Sequence, residues 1–179
     1  MLKELIAKTR QLLMEFRAQN KRQIDRIFIH CTASLQEEYT DDKLMQEFKN
    51  KGWKNPGYHY VIRPDGSVFN CLSEDKVSNG VYGYNQTSIN IAYVGGITKT
   101  NKKGVDNRTD SQKSALLGLL NILRIKYPKA YIMGHRDISP DINNNGIVDP
   151  WERIKECPCF DAMVEYSKLN EGLKQPKCK

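Results

Sequence analysis

GHRDISPDINNNGIVDPWERIKECPCFD, residues 134–161, holds a histidine, a twelve-residue oxygen-rich loop, a lysine and a Cys-x-Cys pair in one irregular span. The apolar run Tyr131–Met133 just before it reads as a short strand that delivers His135 to the end of a sheet. Neutral imidazole and thiolate are common ligands of Zn²⁺, and a loop rich in carboxylates and amides suits Ca²⁺. A purely structural domain has little need of so many metal-capable groups in one loop. The stretch predicts a hydrolytic zinc enzyme whose active-site loop is braced by calcium.

Upstream, Ile24, Ile27, Phe28 and Ile29 form a nearly continuous apolar run, as in a buried strand ending at His30. Thr40 is placed to cap a helix through about Lys51, with Asp41 and Asp42 suited to its first turn. Tyr58–Ile62 and Ser67–Asn70 read as strands joined by the turn Arg63-Pro64-Asp65-Gly66, and Ile89–Val94 as another strand closed by Gly95-Gly96. A helix opening at Thr109 or Asp110 should bury Leu116, Leu117, Leu119, Leu120, Leu123 and Ile125. Asp161–Leu169 reads as a last helix. The order β-α-β-β-β-α-β-α predicts an α/β fold, a single domain with a mixed central sheet flanked by helices and the zinc site at one edge of the sheet. Residues 1–23 form an amphipathic N-terminal helix, with Leu2, Leu5, Ile6, Leu12, Leu13 and Phe16 at helical spacing, expected to pack on the body, the alternatives being a partner, which the sequence does not name, or a membrane surface. Residues 24–170 form the main domain, and residues 171–179 a frayed basic tail.

The bulk properties agree with one soluble domain: 179 residues, 39% hydrophobic and a mean hydropathy of −0.63. No run approaches the roughly 18 apolar residues of a membrane span. The charged N-terminus lacks the apolar core of a signal peptide, so synthesis in the cytoplasm without one is expected. Five cysteines, Cys31, Cys71, Cys157, Cys159 and Cys178, are odd in number and irregularly spaced, which favours free, metal-bound or catalytic thiols. The net charge of +7 favours anionic partners, cell wall among them, but no interleaved basic and aromatic motif supports nucleic-acid binding.

His30 and His135 both sit where a predicted strand gives way to a loop, and neighbouring strands could bring them together. A third ligand must then come from Cys157 or Cys159. Two histidines and one cysteine leave a fourth position for water, the pattern of a catalytic zinc site. His59 and Cys31, each next to a candidate functional residue, should point to the opposite sheet face.

IDRIFIHCTAS, GWKNPGYHYVIRPDGSV, YGYNQTSINIAYVGG, GHRDISP and KECPCFD, in that order, resemble the zinc-dependent N-acetylmuramoyl-L-alanine amidases of type 2, the group of short phage endolysins and peptidoglycan recognition proteins. The resemblance spans residues 24–166 but not the N-terminal helix, the calcium-type loop or the tail. It implies hydrolysis of the amide between N-acetylmuramic acid and L-alanine of the stem peptide in peptidoglycan; the absent signal peptide fits a phage or prophage lysin acting on the cell wall, and fits an intracellular wall-recycling enzyme as well. The resemblance implies His30, His135 and Cys157 as zinc ligands, with Tyr58 and Lys155 catalytic. Cys159 stands where related enzymes carry a small residue, and Gly80 where phage relatives can carry a histidine. A non-catalytic peptidoglycan-binding module of the same fold is the main alternative; Tyr58, Lys155 and Cys157 argue against it.

Residues 141–152 match the calcium-loop pattern D-x-[DN]-x-[DN]-G-x₅-E at every specified position. Asp141, Asn143, Asn145 and Glu152 would supply side-chain oxygens, Ile147 a backbone carbonyl, and Asp149 a contact through water. Pro140 argues against an entering helix, so the loop is not a complete EF-hand. Asp149-Pro150-x-Glu152 also fits a helix start.

Overall fold

The computed structural model of the chain describes residues 2–19, 22–146 and 148–176. The elements follow the expected order: α1 (Leu2–Gln19), β1 (Arg26–Cys31), α2 (Asp41–Asn50), β2 (Tyr60–Ile62), β3 (Val68–Asn70), β4 (Ser88–Tyr93), α3 (Asp110–Lys126), β5 (Tyr131–Gly134) and α4 (Ala162–Glu165). The sheet order is β3-β2-β4-β1-β5. β2, β4, β1 and β5 run parallel and β3 is antiparallel to β2, so the sheet is mixed as the sequence predicts. β1 and β4 are buried along their whole lengths, which explains their continuous apolar runs.

Side chains alternate across this sheet and divide the core. Ile27, Ile29, Cys31, Ile89, Ile91, Tyr93 and Ile132 pack with α3 and α4 on one face. On the other face Val61, Ala92 and Val94 meet Leu44 and Phe48 of α2, and Phe28 and Met133 meet Val81 and Tyr84. His30 lies on this second face, two residues beyond Phe28, at the C-terminal end of β1.

The helix signals are met in detail. Thr40 Oγ1 accepts from Lys43 N, and Thr109 and Gln112 form a reciprocal capping box at the start of α3. Leu116, Leu120 and Leu123 are buried at helical spacing, each contributing about 1.5–3 kcal/mol. Leu117 and Ile125 are exposed, a correction to the wide face expected: the core covers the stripe through Leu116, Leu120 and Leu123, with Leu119 partly buried beside it. The last helix is also shorter than expected, α4 giving way to a 3-10 turn over Ser167–Asn170.

α1 departs further from expectation. Leu5, Ile6 and Leu12 are exposed, so these side chains do not pack on the body; the side chains of Leu2, Leu13 and Phe16 lie outside the described set. The attachment comes just after the helix. The Arg22 guanidinium donates to the carbonyls of Glu74, Lys76, Asn85, Gln86 and Ser88, fastening the start of the body to two loops and β4.

Candidate active site

His30, His135 and Cys157 are brought together by three different segments. His30 comes from β1, His135 from the 3-10 turn that follows β5, and Cys157 from the loop before α4. β1 and β5 are neighbours and parallel, so their C-terminal ends put the two imidazoles side by side. The Cys157 loop is fastened from both sides: its carbonyl accepts from Arg136 N at 2.7 Å, and Cys31 N donates to its Sγ at 3.3 Å. Gly134 makes room for it, because a Cβ there would stand 2.5 Å from Pro158 Cδ.

The resulting geometry is compact. His30 Nδ1 lies 3.1 Å from His135 Nδ1 and 3.7 Å from Cys157 Sγ, and the ligand atoms of the three residues all fall within 4.8 Å of one another. A tetrahedral zinc with bonds of about 2.0–2.1 Å to nitrogen and about 2.3 Å to sulfur needs N–N and N–S separations of about 3.3 and 3.6 Å. The observed distances fit. Burial, with the Lys155 charge adding, pushes the His30 pKa down to about 4; burial, His30 and Lys155 push that of His135 down to about 2. Both rings are therefore neutral at pH 7, the state in which imidazole binds a metal.

Cys159 is excluded from this cluster. Its Sγ lies 3.7 Å from Cys31 Sγ and contacts the Gly96 carbonyl, so of the two cysteines left open by the sequence it is Cys157 that converges with the histidines. Cys31 is buried on the face opposite His30, as alternation predicts, and its thiol pKa is pushed up to about 12, first by its hydrogen bond with Cys157. His59 is fully buried away from the cluster, with Nδ1 accepting from Asn90 N.

Tyr58 stands beside the site. Its ring centroid is 5.2 Å from that of His30, and its hydroxyl donates to the Cys31 carbonyl at 3.5 Å. It precedes β2 rather than lying in it, so the strand is shorter than the predicted Tyr58–Ile62. Burial first, then the Cys157 and Cys31 thiols, raise its pKa well above that of a free phenol, leaving it a hydrogen-bond donor at neutral pH. Lys155 is exposed on the loop leading to Cys157, close enough for its charge to depress both imidazoles. A cavity of about 340 Å³ opens beyond the end of β1, lined by Thr32, Ser34, Lys43, Leu44, Glu47 and Ile97. The sequence gives no direct signal for this groove, whose walls come from α2 and two separate loops.

The loop at residues 141–152 folds inward on its own polar groups. Asp141 accepts from Asn145 N and Gly146 N, and Asn143 and Asn145 both donate side-chain N–H groups to Asp149 Oδ2. Buried Glu152 accepts from Ile142 N, Asn143 N and Asp149 N, the last being the predicted helix-start cap. Among the described residues, however, the only converging His, Cys, Asp and Glu group is His30, His135 and Cys157. The Ile147 carbonyl lies outside the described residues.

Residues 20–158 match the family model for N-acetylmuramoyl-L-alanine amidase. This chain belongs to the N-acetylmuramoyl-L-alanine amidase family. The amidase is 38% identical to an endolysin of Enterobacteria phage K11 over 143 residues, 79% of this chain and 84% of the relative. An endolysin of Klebsiella phage KP32 is 36% identical, covering 83% of this chain and 89% of its own length. Among solved structures, the amidase LysC from Clostridium intestinale superposes with a TM-score of 0.64 at 25% identity, over 87% of this chain and 88% of that one. The family's activity is thus that of this protein, a peptidoglycan amidase.

Proposed function

We propose that this amidase is a zinc-dependent phage lysin that cuts the bond between the lactyl group of N-acetylmuramic acid and L-alanine. Convergence of two neutral imidazole nitrogens and one thiol on a single point carries this reading. His30, His135 and Cys157 would hold the ion. When bound, zinc supplies Lewis-acid polarisation of the scissile carbonyl and activates water for attack.

The chain's own groups supply the remainder. In this reading the protonated Tyr58 phenol donates a hydrogen bond to charge developing on the substrate oxygen and passes a proton toward the leaving nitrogen. The charge of Lys155, felt by both imidazoles, stabilises the same negative charge. The groove from Thr32 to Ile97 receives the stem peptide, with Lys43 and Glu47 available for its charged groups. With that substrate the protein works at the cell wall. Among the described residues no helix is long and apolar enough to cross a membrane.

Calcium is proposed as a structural ion in the loop 141–152, held by Asp141, Asn143, Asn145, Glu152 and the Ile147 carbonyl, with Asp149 through water. The full match to the calcium-loop pattern in the sequence supports this. Ordering the loop would steady Lys155 and Cys157, three and five residues beyond Glu152. A calcium-selective chelator should then lower the melting temperature while zinc stays bound; an unchanged melting curve on calcium titration removes the ion from the mechanism.

Metal analysis combined with mass spectrometry of digested peptidoglycan tests the main reading. The expected products are stem peptides with a free L-alanine amino terminus and intact glycan chains. Peptidoglycan that is bound but uncut by zinc-loaded protein would make this a binding module instead.

A further inference from the structure

Asn90 sits at the middle of β4 with no exposed surface, in a strand whose neighbours Ile89 and Ile91 are core residues. A buried amide must find partners for two N–H groups and one oxygen or lose their hydration uncompensated. All three are matched here. Nδ2 donates to Ser78 Oγ at 2.8 Å and to Ser88 Oγ at 3.1 Å, while Oδ1 lies 2.8 Å from His30 Nε2. The sheet register makes this meeting unavoidable: Asn90 is paired with Phe28, and His30 follows on the same face.

We propose that Asn90 is a positioning residue for the metal site: its Oδ1 accepts from His30 Nε2–H and so fixes the tautomer that presents the bare Nδ1 to the ion. This rests on the zinc-dependent function proposed for the cluster. A neutral imidazole carries one proton, and on Nδ1 that proton would point at the nitrogen and sulfur that must share the metal. With both amide N–H groups donated to serine hydroxyls, only the oxygen of Asn90 faces the ring. A hydrogen-bond acceptor behind the ligand also sets the ring's orientation and raises its basicity.

The support extends one layer further. Gly80 packs on Asn90 so closely that an added Cβ would stand 2.4 Å from its Cγ and Oδ1, and 2.8 Å from the Gly57 carbonyl. Gly80, Ser78 and Ser88 therefore act as the seat of the amide, and Gly80 is the residue that a larger side chain would convert into a wedge.

The test uses long-range ¹⁵N NMR of the imidazoles and zinc affinity by chelator competition, on full-length protein. Metal-free wild-type protein should show His30 protonated on Nε2 with Nδ1 unprotonated. Asn90→Leu, close in size but unable to accept, should weaken zinc binding about 10–100-fold and redistribute the His30 tautomers, whereas Asn90→Asp, which keeps an acceptor, should recover most of the affinity. A wild-type spectrum with His30 protonated on Nδ1 overturns the inference, even if Asn90→Leu does not fold. So does folded Asn90→Leu with wild-type affinity and tautomer. Absence of zinc binding by the wild type would instead sink the zinc reading, and the metal-free tautomer would then decide the role of Asn90 by itself.

Discussion

Replacing Tyr58 with phenylalanine separates chemistry from packing. The hydroxyl donates to the Cys31 carbonyl at 3.5 Å, near the limit for a hydrogen bond, so its loss costs at most about 0.5–1 kcal/mol of stability. The ring keeps its edge contact with Phe48, centroids 5.5 Å apart, and its neighbour His30. For a chain of this size such a loss moves the melting temperature by no more than about 2–4 °C. Removing one donor to a developing oxyanion costs up to about 2.7–4 kcal/mol, and the loose contact in the free enzyme argues for a range of about tenfold to a thousandfold in kcat. The assay is the initial rate of stem-peptide release from a defined muropeptide, with zinc content and melting measured on the same sample. kcat and kcat/KM should fall together, because the interaction is made in the transition state. A kcat near that of wild type would reduce Tyr58 to a packing residue. Loss of zinc alongside activity would refute the separation of roles.

Cys157→Ser should lose zinc and activity, while Cys159→Ser keeps both; metal content of the two purified variants decides between them. Gly134→Ala should destabilise the fold by about 1–3 kcal/mol in chemical denaturation, because its Cβ would meet Pro158 at 2.5 Å and the loop carrying Cys157 would have to shift. Deleting residues 1–19 should leave hydrolysis of soluble muropeptides intact, whereas deleting 1–22 should lower the melting temperature, since Arg22 leaves five backbone carbonyls to find new partners. In metal-free protein, His30 and His59 titrate near 4 and His135 near 2, all below the unfolded value of about 6.5. The unfolded chain then binds more protons in acid, so stability is complete above pH 6.5, falls from about 6.5 to 4 through all three rings, and falls further toward 2 through His135. Denaturant melts at pH 7.5, 6 and 5 should show that slope; a flat profile would mean the rings are protonated in the native state.

Much of this was legible because the local signals agreed with the global fold. The apolar runs at Ile27–Ile29 and Ile89–Val94 are β1 and β4, and Thr109 caps α3 with Gln112 as its sequence suggests. His30 and His135 met because strand ends in a parallel sheet share one side, a rule that needs no knowledge of sequence separation. The failures have a common cause in tertiary context. Periodicity marks Leu117 and Ile125 as apolar but cannot say how wide a stripe the sheet will cover. Alternation assigns Cys31 to the far face correctly, yet gives no hint that its backbone N–H reaches Cys157 Sγ. Asn90 had a weak signal, a polar residue inside an otherwise apolar strand; its role emerges only once β1 and β4 are in register. The Arg22 anchor had none, because backbone carbonyls from distant loops leave no trace in composition.

The three groups of the metal cluster also set when the enzyme can come into being. His30 and His135 are 105 positions apart along the chain, and His30 and Cys157 127 apart. No hairpin, single helix or early local fragment contains the cluster; it exists only once β1 and β5 have paired and the Cys157 loop has closed on them. Such long-range closure is the slow part of folding. A ribosome-bound chain lacking residue 157 therefore has no complete site, and capture of the proposed ion would report that folding has finished. An ion held by the complete cluster, as proposed, would deepen the native state against every partly folded one with each increment of affinity. An enzyme that would damage the wall of the cell making it thus gains its chemistry as the final event of its own assembly.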